Sequence, residues 1–364
     1  MEHRFFGTTG MTVSELCLGT QTFGWVADES AAHGLLDQFV GQGGNFIDTA
    51  DIYNQGRSEA ILGSWLRKRG GRNSLVLSSK VFFPVAPGSN APGAGQAGAG
   101  QAGAGQPGAG QPGPNDSGLS RRHLFQAVED SLKRLGTDHL DLYQAHCYDY
   151  TTRIEETLGA FRDLQAAGKV RHVGVSNWNA SQLAKAIMLG RGQLGPGIAS
   201  LQAEYSLIVR STEWELLPLC REEGLGFMAW SPLAGGWLSG KYRRGEAPPG
   251  NSRVGRKDRW DDQPEQRETE TTWKVVEALR QVAHSLGRTP AQVALNWLLR
   301  KWDGIVPILG ARTPEQLEEN LGAAGWKLAA DELALLDAAG DQPLPYPYRF
   351  LERYAKRRPP ATGA

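Results

Sequence analysis

Short apolar runs alternate along the chain with longer amphipathic stretches. Most runs start 26–31 residues apart, which is the length of one strand, one helix and their connections. The two longer intervals, of 65 and 79 residues, are expected to hold an insertion and a long loop with two helices. Eight strands alternating with helices predict an α/β fold. The runs begin near Leu16, Phe46, Leu75, Leu140, Arg171, Ser200, Gly226 and Ile305.

This alternation fits either a (β/α)8 barrel or a doubly wound open sheet. A dinucleotide-binding open sheet should show a G-x-G-x-x-G turn after its first strand, but residues 19–24 read GTQTFG. The barrel is therefore the predicted architecture. Residues 3–17 read as a short hairpin that precedes the first barrel strand.

Two helical stretches carry clear end signals. Over residues 120–136, Ser120 can cap the helix, leucines and a valine form one apolar stripe, and Gly136 ends it. A second helix is predicted from Thr289, a capping residue followed by Pro290 at the first helical position.

One segment differs from the rest in composition. Residues 88–115 contain no charged and no aromatic side chain, and residues 92–111 are four Gly/Ala/Gln pentads. Such a segment cannot bury enough apolar surface to offset the cost of ordering its backbone. We therefore expect a single barrel domain over residues 1–345, with a disordered insertion at 88–115 and a C-terminal tail at 346–364.

Composition excludes several classes of protein. The chain has 364 residues with 39 basic and 39 acidic side chains, so no long-range field favours nucleic acid or a membrane surface. The N-terminus lacks an apolar targeting core, and no stretch approaches the roughly 20 apolar residues of a membrane span. Cys17, Cys147 and Cys220 are far apart and odd in number, which is typical of a reducing cytoplasm. These features predict a cytoplasmic protein.

Four polar residues follow predicted strands at the end where (β/α)8 barrels place their chemistry. They are Asp48, Tyr53, Lys80 and His146. A carboxylate within an apolar strand is costly unless it is paired, and Lys80 is the predicted partner of Asp48. A lysine ammonium within about 4–6 Å would lower the pKa of a tyrosine by roughly 1–3 units. With neutral His146 orienting a substrate oxygen, Tyr53 could protonate an oxygen that gains negative charge.

Several motifs also fit other kinds of site. Residues 235–241, GGWLSGK, match a phosphate-binding loop, but Tyr242 replaces the magnesium-binding Ser or Thr. A Cys147–His146 dyad is disfavoured because neighbours in a strand face opposite sides. The seven histidines show no zinc spacing, so no metal site is predicted. Trp25, Trp178 and Trp237 are either pocket walls or ordinary packing residues.

The sequence resembles the aldo-keto reductases over about residues 4–340. The matching motifs, in the order in which that family has them, are FIDTADIY, LVLSSKV, DLYQAH, VGVSNW, LQAEYS, AWSPLAGG, GKY and PILGARTPEQLEEN. The resemblance implies a (β/α)8 barrel that reduces an aldehyde or ketone with NADPH. It also implies a catalytic tetrad of Asp48, Tyr53, Lys80 and His146, in which Tyr53 donates the proton.

The resemblance further implies a cofactor site, in which Ser176, Asn177 and Gln202 contact the nicotinamide carboxamide and Tyr205 stacks on the ring. Arg312 is expected to pair with the 2′-phosphate. The full expected set is Gly19, Thr20, Ser176, Asn177, Gln202, Tyr205, Ser231, Pro232, Leu233, Gly235, Lys241, Gly310, Arg312, Gln316 and Asn320.

Three features depart from the family pattern. The insertion follows the third strand on the catalytic face, Cys147 follows the catalytic histidine, and the tail resembles ends seen in bacterial branches of the family. The expected partner is a small carbonyl substrate, with no nucleic acid and no membrane, in a monomer or small homo-oligomer. The alternatives are a redox-slow regulatory subunit that senses nucleotide, as in a channel-associated branch, and an interaction scaffold.

Overall fold

The computed structural model describes residues 1–85, 113–192, 195, 197–250, 252 and 267–355. Residues 88–112 of the predicted insertion and residues 356–364 of the predicted tail lie outside the described residues.

Within the described residues, ten strands form a hairpin and a barrel. Strands β1 (His3–Phe5) and β2 (Thr12–Ser14) pair antiparallel, as predicted for residues 3–17. The other eight run parallel in a closed barrel in which each strand pairs with its sequence neighbours and the last pairs with the first. These are β3 (Cys17–Gly19), β4 (Phe46–Asp48), β5 (Val76–Val81), β6 (Leu140–Ala145), β7 (Val170–Ser176), β8 (Ile198–Glu204), β9 (Gly226–Trp230) and β10 (Ile305–Leu309).

The described helices alternate with these strands, so the predicted (β/α)8 barrel is confirmed. Both helices expected in the long interval before β10 are present. One further helix forms within the predicted tail. In chain order the helices are α1 (Glu29–Gly41), α2 (Arg57–Arg69), α3 (Arg121–Leu135), α4 (Ile154–Ala166), α5 (Ala180–Arg191), α6 (Leu216–Glu223), α7 (Glu270–Leu286), α8 (Pro290–Lys301), α9 (Pro314–Leu321), α10 (Ala330–Ala339) and α11 (Tyr348–Tyr354).

The predicted helix ends are present. Ser120 caps α3 by accepting from the His123 backbone N–H, and Gly136 ends it with a φ of 65° that a side chain would disfavour. Thr289 and Gln292 form a reciprocal capping box at the start of α8. Local signals therefore place these helices before any tertiary contact is considered.

Apolar side chains fill two separate layers. The larger one lies between the barrel strands and the surrounding helices. The smaller one lies inside the barrel, where Phe46, Val76 and Leu142 meet Phe6 from the turn of the hairpin. The rings of Phe6 and Phe46 contact edge to face at 5.2 Å. The hairpin thus plugs the amino-terminal end of the barrel and leaves the carboxyl-terminal end open.

A polar layer lies directly above this apolar interior. Successive residues of a strand point to opposite faces, so residues two positions further along face the interior again. In the register of β4, β5 and β6, Asp48 lies opposite Ser78, and Lys80 lies opposite Gln144. The barrel interior is therefore polar between the apolar layer and its carboxyl-terminal end.

Among the described helices, none has the length and apolar character needed to cross a bilayer.

Candidate active site

A cavity of about 730 Å³ opens at the carboxyl-terminal end of the barrel. It is in the range of small-molecule and cofactor sites. Most of the predicted site residues line it, from both sides of the barrel mouth. These are Gly19, Asp48, Tyr53, His146, Ser176, Asn177, Gln202, Ser231, Pro232, Leu233, Gly235, Lys241, Gly310, Arg312, Gln316 and Asn320.

Asp48 and Lys80 form the predicted ion pair at the cavity floor, where Asp48 lines the cavity and Lys80 does not. Lys80 Nζ lies 2.6 Å from Asp48 Oδ2, and the two residues are 0% and 1% exposed. The ammonium also donates to the Thr49 carbonyl at 2.8 Å and to the Tyr53 hydroxyl at 3.1 Å. Its three donors are thus used on a carboxylate, a carbonyl and a phenol, which offsets the cost of burying the charge.

The electrostatics of the pair keep the lysine charged. Burial alone would lower the pKa of Lys80, but Asp48 and Tyr53 together raise it above its ordinary value. The pKa of Tyr53 differs from the sequence-based expectation of a net lowering. Burial raises this pKa by more than Lys80 lowers it, so the phenol is protonated at neutral pH. The predicted influence of Lys80 is present, but desolvation outweighs it.

His146 is neutral and lies beside the phenol. Burial, followed by the charge of Lys80, holds its pKa well below the usual range. Its ring meets Tyr53 edge to face at 5.9 Å and Phe83 at 5.2 Å. A neutral imidazole next to a protonated phenol provides two hydrogen-bonding groups for one oxygen atom.

Cys147 also lines the cavity, but its chemistry does not match a nucleophile. Burial raises the pKa of the thiol, so it is protonated at neutral pH. Trp178 and Trp237, which were open candidates for pocket walls, are 2% and 4% exposed and pack in the core.

Strained backbone marks the opposite wall of the cavity. Asn177 and Ser231 have φ values of 59° and 49°, a conformation that costs energy for residues other than glycine and clusters at functional sites. The Asn177 amide donates to the His146 carbonyl and accepts from the Trp230 indole, each at 3.0 Å. Ser176 Oγ is buried at this wall without a hydrogen-bonding partner among the described residues. A cofactor amide could supply such a partner.

Two expected cofactor residues lie outside the cavity. Tyr205 is 0% exposed, packs against Trp297 of α8 and donates its hydroxyl to Glu213, so the expected stacking on a cofactor ring is wrong for this structure. The physical reason is strand alternation, because Gln202 faces the interior and a residue three positions later faces outward. Trp230, at the end of β9, lines the cavity instead. Thr20 is also fully buried, and its hydroxyl bonds the Asp48 carbonyl at 3.3 Å.

The far end of the cavity lies at the start of α9. Thr313 caps this helix and Pro314 occupies its first turn, directly after Arg312. Arg312 and Gln316 line the cavity there, and the Arg312 backbone N–H donates to the Gln316 side chain at 3.1 Å. This combination of a cation and a helix start favours an anionic group.

Several lining residues were not anticipated from the sequence, among them Gln21, Ile52, Phe83, Trp230 and Glu319. Trp230 could have been found, because it precedes the predicted Ser231 at a strand end. The others lie on loops or helix faces whose position depends on packing and has no local signal.

The fold and this cavity define a class of (β/α)8 barrel proteins with a buried Lys–Asp pair beneath a tyrosine and a histidine. The model of the Aldo/keto reductase family matches residues 15–341. The chain therefore belongs to that family, as the resemblance implied. Members of the family generally use a nicotinamide cofactor, and together with the relatives this supports a carbonyl-reducing oxidoreductase.

Three relatives show the range of similar proteins. Uncharacterized oxidoreductase YrpG of Bacillus subtilis is 35% identical, covering 93% of this chain and 95% of its own. Protein tas of Escherichia coli is 35% identical, with 93% and 97% covered. The probable voltage-gated potassium channel subunit beta of Arabidopsis thaliana is 34% identical, with 89% and 91% covered. Both an oxidoreductase and a channel subunit, the two kinds of protein considered from the sequence, are thus similar to this chain.

Proposed function

We propose that this protein is an NADPH-dependent reductase that converts an aldehyde or ketone to the alcohol. The observation that carries the proposal is the protonated Tyr53 hydroxyl, 3.1 Å from the buried Lys80 ammonium and within the cavity wall. An acid in this position can protonate a carbonyl oxygen as that oxygen gains negative charge.

Each of the four residues around the Tyr53 hydroxyl has its own role in the proposed reduction. When bound, NADPH supplies a hydride for the carbonyl carbon. Tyr53 donates its proton to the carbonyl oxygen, and the ammonium of Lys80 stabilises the phenolate that remains. Asp48 keeps that ammonium charged and in place. Neutral His146 orients the oxygen by a hydrogen bond.

The opposite wall suits the cofactor. Ser176, whose buried hydroxyl lacks a partner among the described residues, is proposed to bind the carboxamide with Gln202. Trp230 forms the aromatic wall that was expected of Tyr205. Arg312, at the start of α9, is proposed to select the 2′-phosphate of NADPH over the free hydroxyl of NADH.

A second candidate is a regulatory subunit that holds nucleotide and turns over slowly, which the 34% identity to the channel subunit favours. Counting turnovers separates the two. The purified protein is mixed with NADPH and a panel of aldehydes, ketones and sugars, and the nicotinamide absorbance is followed. An enzyme consumes many equivalents of NADPH with at least one substrate class. Consumption that stops at one equivalent per chain for every substrate would favour the sensor.

A further inference from the structure

The carboxylate of Asp48 is fixed at both oxygens. Oδ2 accepts from Lys80, whereas Oδ1 accepts from three donors on three other side chains. These are Ser78 Oγ at 2.8 Å, Gln144 Nε2 at 3.3 Å and Gln202 Nε2 at 3.2 Å. Such a set of donors prevents the carboxylate from rotating away from the ammonium.

The three donors differ in their access to the cavity. Gln202 lines it and is proposed to bind the cofactor, so its amide serves two partners. Ser78 and Gln144 are 0% exposed and do not line the cavity. They are bonded to each other, with Gln144 Nε2 donating to Ser78 Oγ at 2.7 Å. Ser78 and Gln144 are therefore donors to Asp48 that lie away from the cavity, and Gln144 also holds Ser78 in place.

We infer that Ser78 and Gln144 are positioning residues for the reduction, which hold Asp48 so that Lys80 stays against the Tyr53 hydroxyl. This inference rests on the proposed function. Neither residue reaches the substrate or the cofactor through the described cavity wall. Their action passes through Asp48 Oδ1, then Oδ2 and Lys80 Nζ, to the phenol oxygen 3.1 Å away.

The free-energy cost of burying the Gln144 side chain argues against a purely structural role for it. Its Oε1 is buried without a hydrogen-bonding partner among the described residues, which is unfavourable for folding. An apolar side chain of similar size would avoid that cost. The barrel also makes room for this glutamine, because Gly174 lies opposite it and a Cβ there would approach Gln144 Cγ at 3.1 Å and collide with Ser200 Oγ. Departures from good packing are expected mainly where function requires them.

Loss of these donors should weaken the acid. The titratable groups that face Tyr53 are Lys80, Asp48, Asp51 and His146. Lys80 is the group among them that lowers the pKa of the phenol. If its ammonium is held less firmly, the pKa of Tyr53 rises and proton donation slows. A lost charge-assisted hydrogen bond corresponds to about tenfold in kcat or more.

The test compares Gln144→Met and Ser78→Ala with Ser200→Ala as the matched control. Ser200 is buried in the same part of the barrel, and its hydroxyl bonds no described residue. We expect kcat to fall about tenfold in each of the first two variants. KM and the cofactor Kd should stay nearly unchanged, and the alkaline limb of kcat should move to higher pH. Tm should fall in Ser78→Ala, because buried Gln144 and Asp48 each lose a hydrogen-bonding partner. The control should match the wild type in all five measurements.

A second readout does not need turnover. In NMR titrations of ring-labelled tyrosine, the signal of Tyr53 is the one that Tyr53→Phe removes. Its pKa should be higher in Gln144→Met than in the wild type. If the wild type reduces no carbonyl, the proposed function fails while this titration still decides the positioning role. Wild-type kcat and an unmoved Tyr53 titration in folded Gln144→Met would overturn the inference. Ser78→Ala decides in the same way if Gln144→Met does not fold.

Discussion

At one end of the cavity the charges are buried and paired, whereas at the other end they lie on loops and at a helix start. Asp48 and Lys80 are almost fully buried, and each polar atom of the pair has a defined partner. Arg312 is partly exposed and depends on the amino terminus of α9 for its setting. A buried group is screened little by salt, whereas an exposed one is screened strongly. The first end is therefore suited to chemistry and the second to cofactor choice.

The largest effect is expected from breaking the buried end. Tyr53→Phe removes the donated proton and should lower kcat by about 10²–10⁴-fold while the cofactor still binds. Steady-state kinetics and fluorescence titration measure the two quantities. Tyr143→Phe is the matched control, because its buried hydroxyl bonds no described residue and lies outside the cavity. Retention of more than about a tenth of wild-type turnover in Tyr53→Phe would mean that another group is the acid.

A smaller effect, confined to one cofactor, is expected from the exposed end. Arg312→Ala should weaken NADPH by about 10–150-fold and leave NADH nearly unchanged, because a charge-assisted contact is worth about 1.5–3 kcal/mol. Titrations at low and high salt should show the difference shrinking as salt rises. Lys68→Ala removes the same charge from the end of α2, at the other end of the barrel, and serves as control. Equal weakening of NADPH and NADH would contradict the assignment.

Trp230, in the cavity wall, is expected to affect the affinity for both cofactors. Trp230→Leu should weaken NADPH and NADH equally, by about 2–10-fold, since an aromatic contact contributes about 0.5–1.5 kcal/mol. Tyr205→Leu should leave both affinities nearly unchanged and lower Tm, through the lost contact with Trp297 and the lost hydrogen bond to Glu213. If the change at Tyr205 weakened both cofactors and the change at Trp230 weakened neither, Tyr205 would be the residue that stacks on the cofactor ring.

The smallest effect concerns a carboxyl group beside the buried end. Burial, followed by Glu59, raises the pKa of Asp51 well above 3.8. The carboxyl of the unfolded chain loses its proton near pH 3.8, whereas the folded one keeps it to higher pH. This group therefore makes folding less favourable as the pH rises from 3.8 toward the pKa of the folded state. Asp51→Asn removes the titration. Its unfolding free energy should exceed that of the wild type clearly at pH 8 and by little near pH 4. A gap that narrows toward pH 8 would contradict this.

Much of the molecule follows from local signals in the sequence. The periodicity of apolar positions predicts all eight barrel strands, and the caps at Ser120 and Thr289 place two helices. The pairing of Asp48 with Lys80 was also predictable, because a carboxylate in an apolar strand needs a cation nearby. These features depend on residues close in sequence or on one simple rule of burial.

Other features depend on how the strands are registered and packed. Trp230 lines the cavity and the expected Tyr205 does not, because interior and exterior faces alternate along each strand. The pKa of Tyr53 rises because tertiary burial outweighs a neighbouring charge. Ser78 and Gln144 reach Asp48 only because β4, β5 and β6 align in one polar layer. The sequence determines which residues can form strands and carry charge, whereas the closed barrel decides which of them meet, because desolvation and register are properties of the assembled sheet.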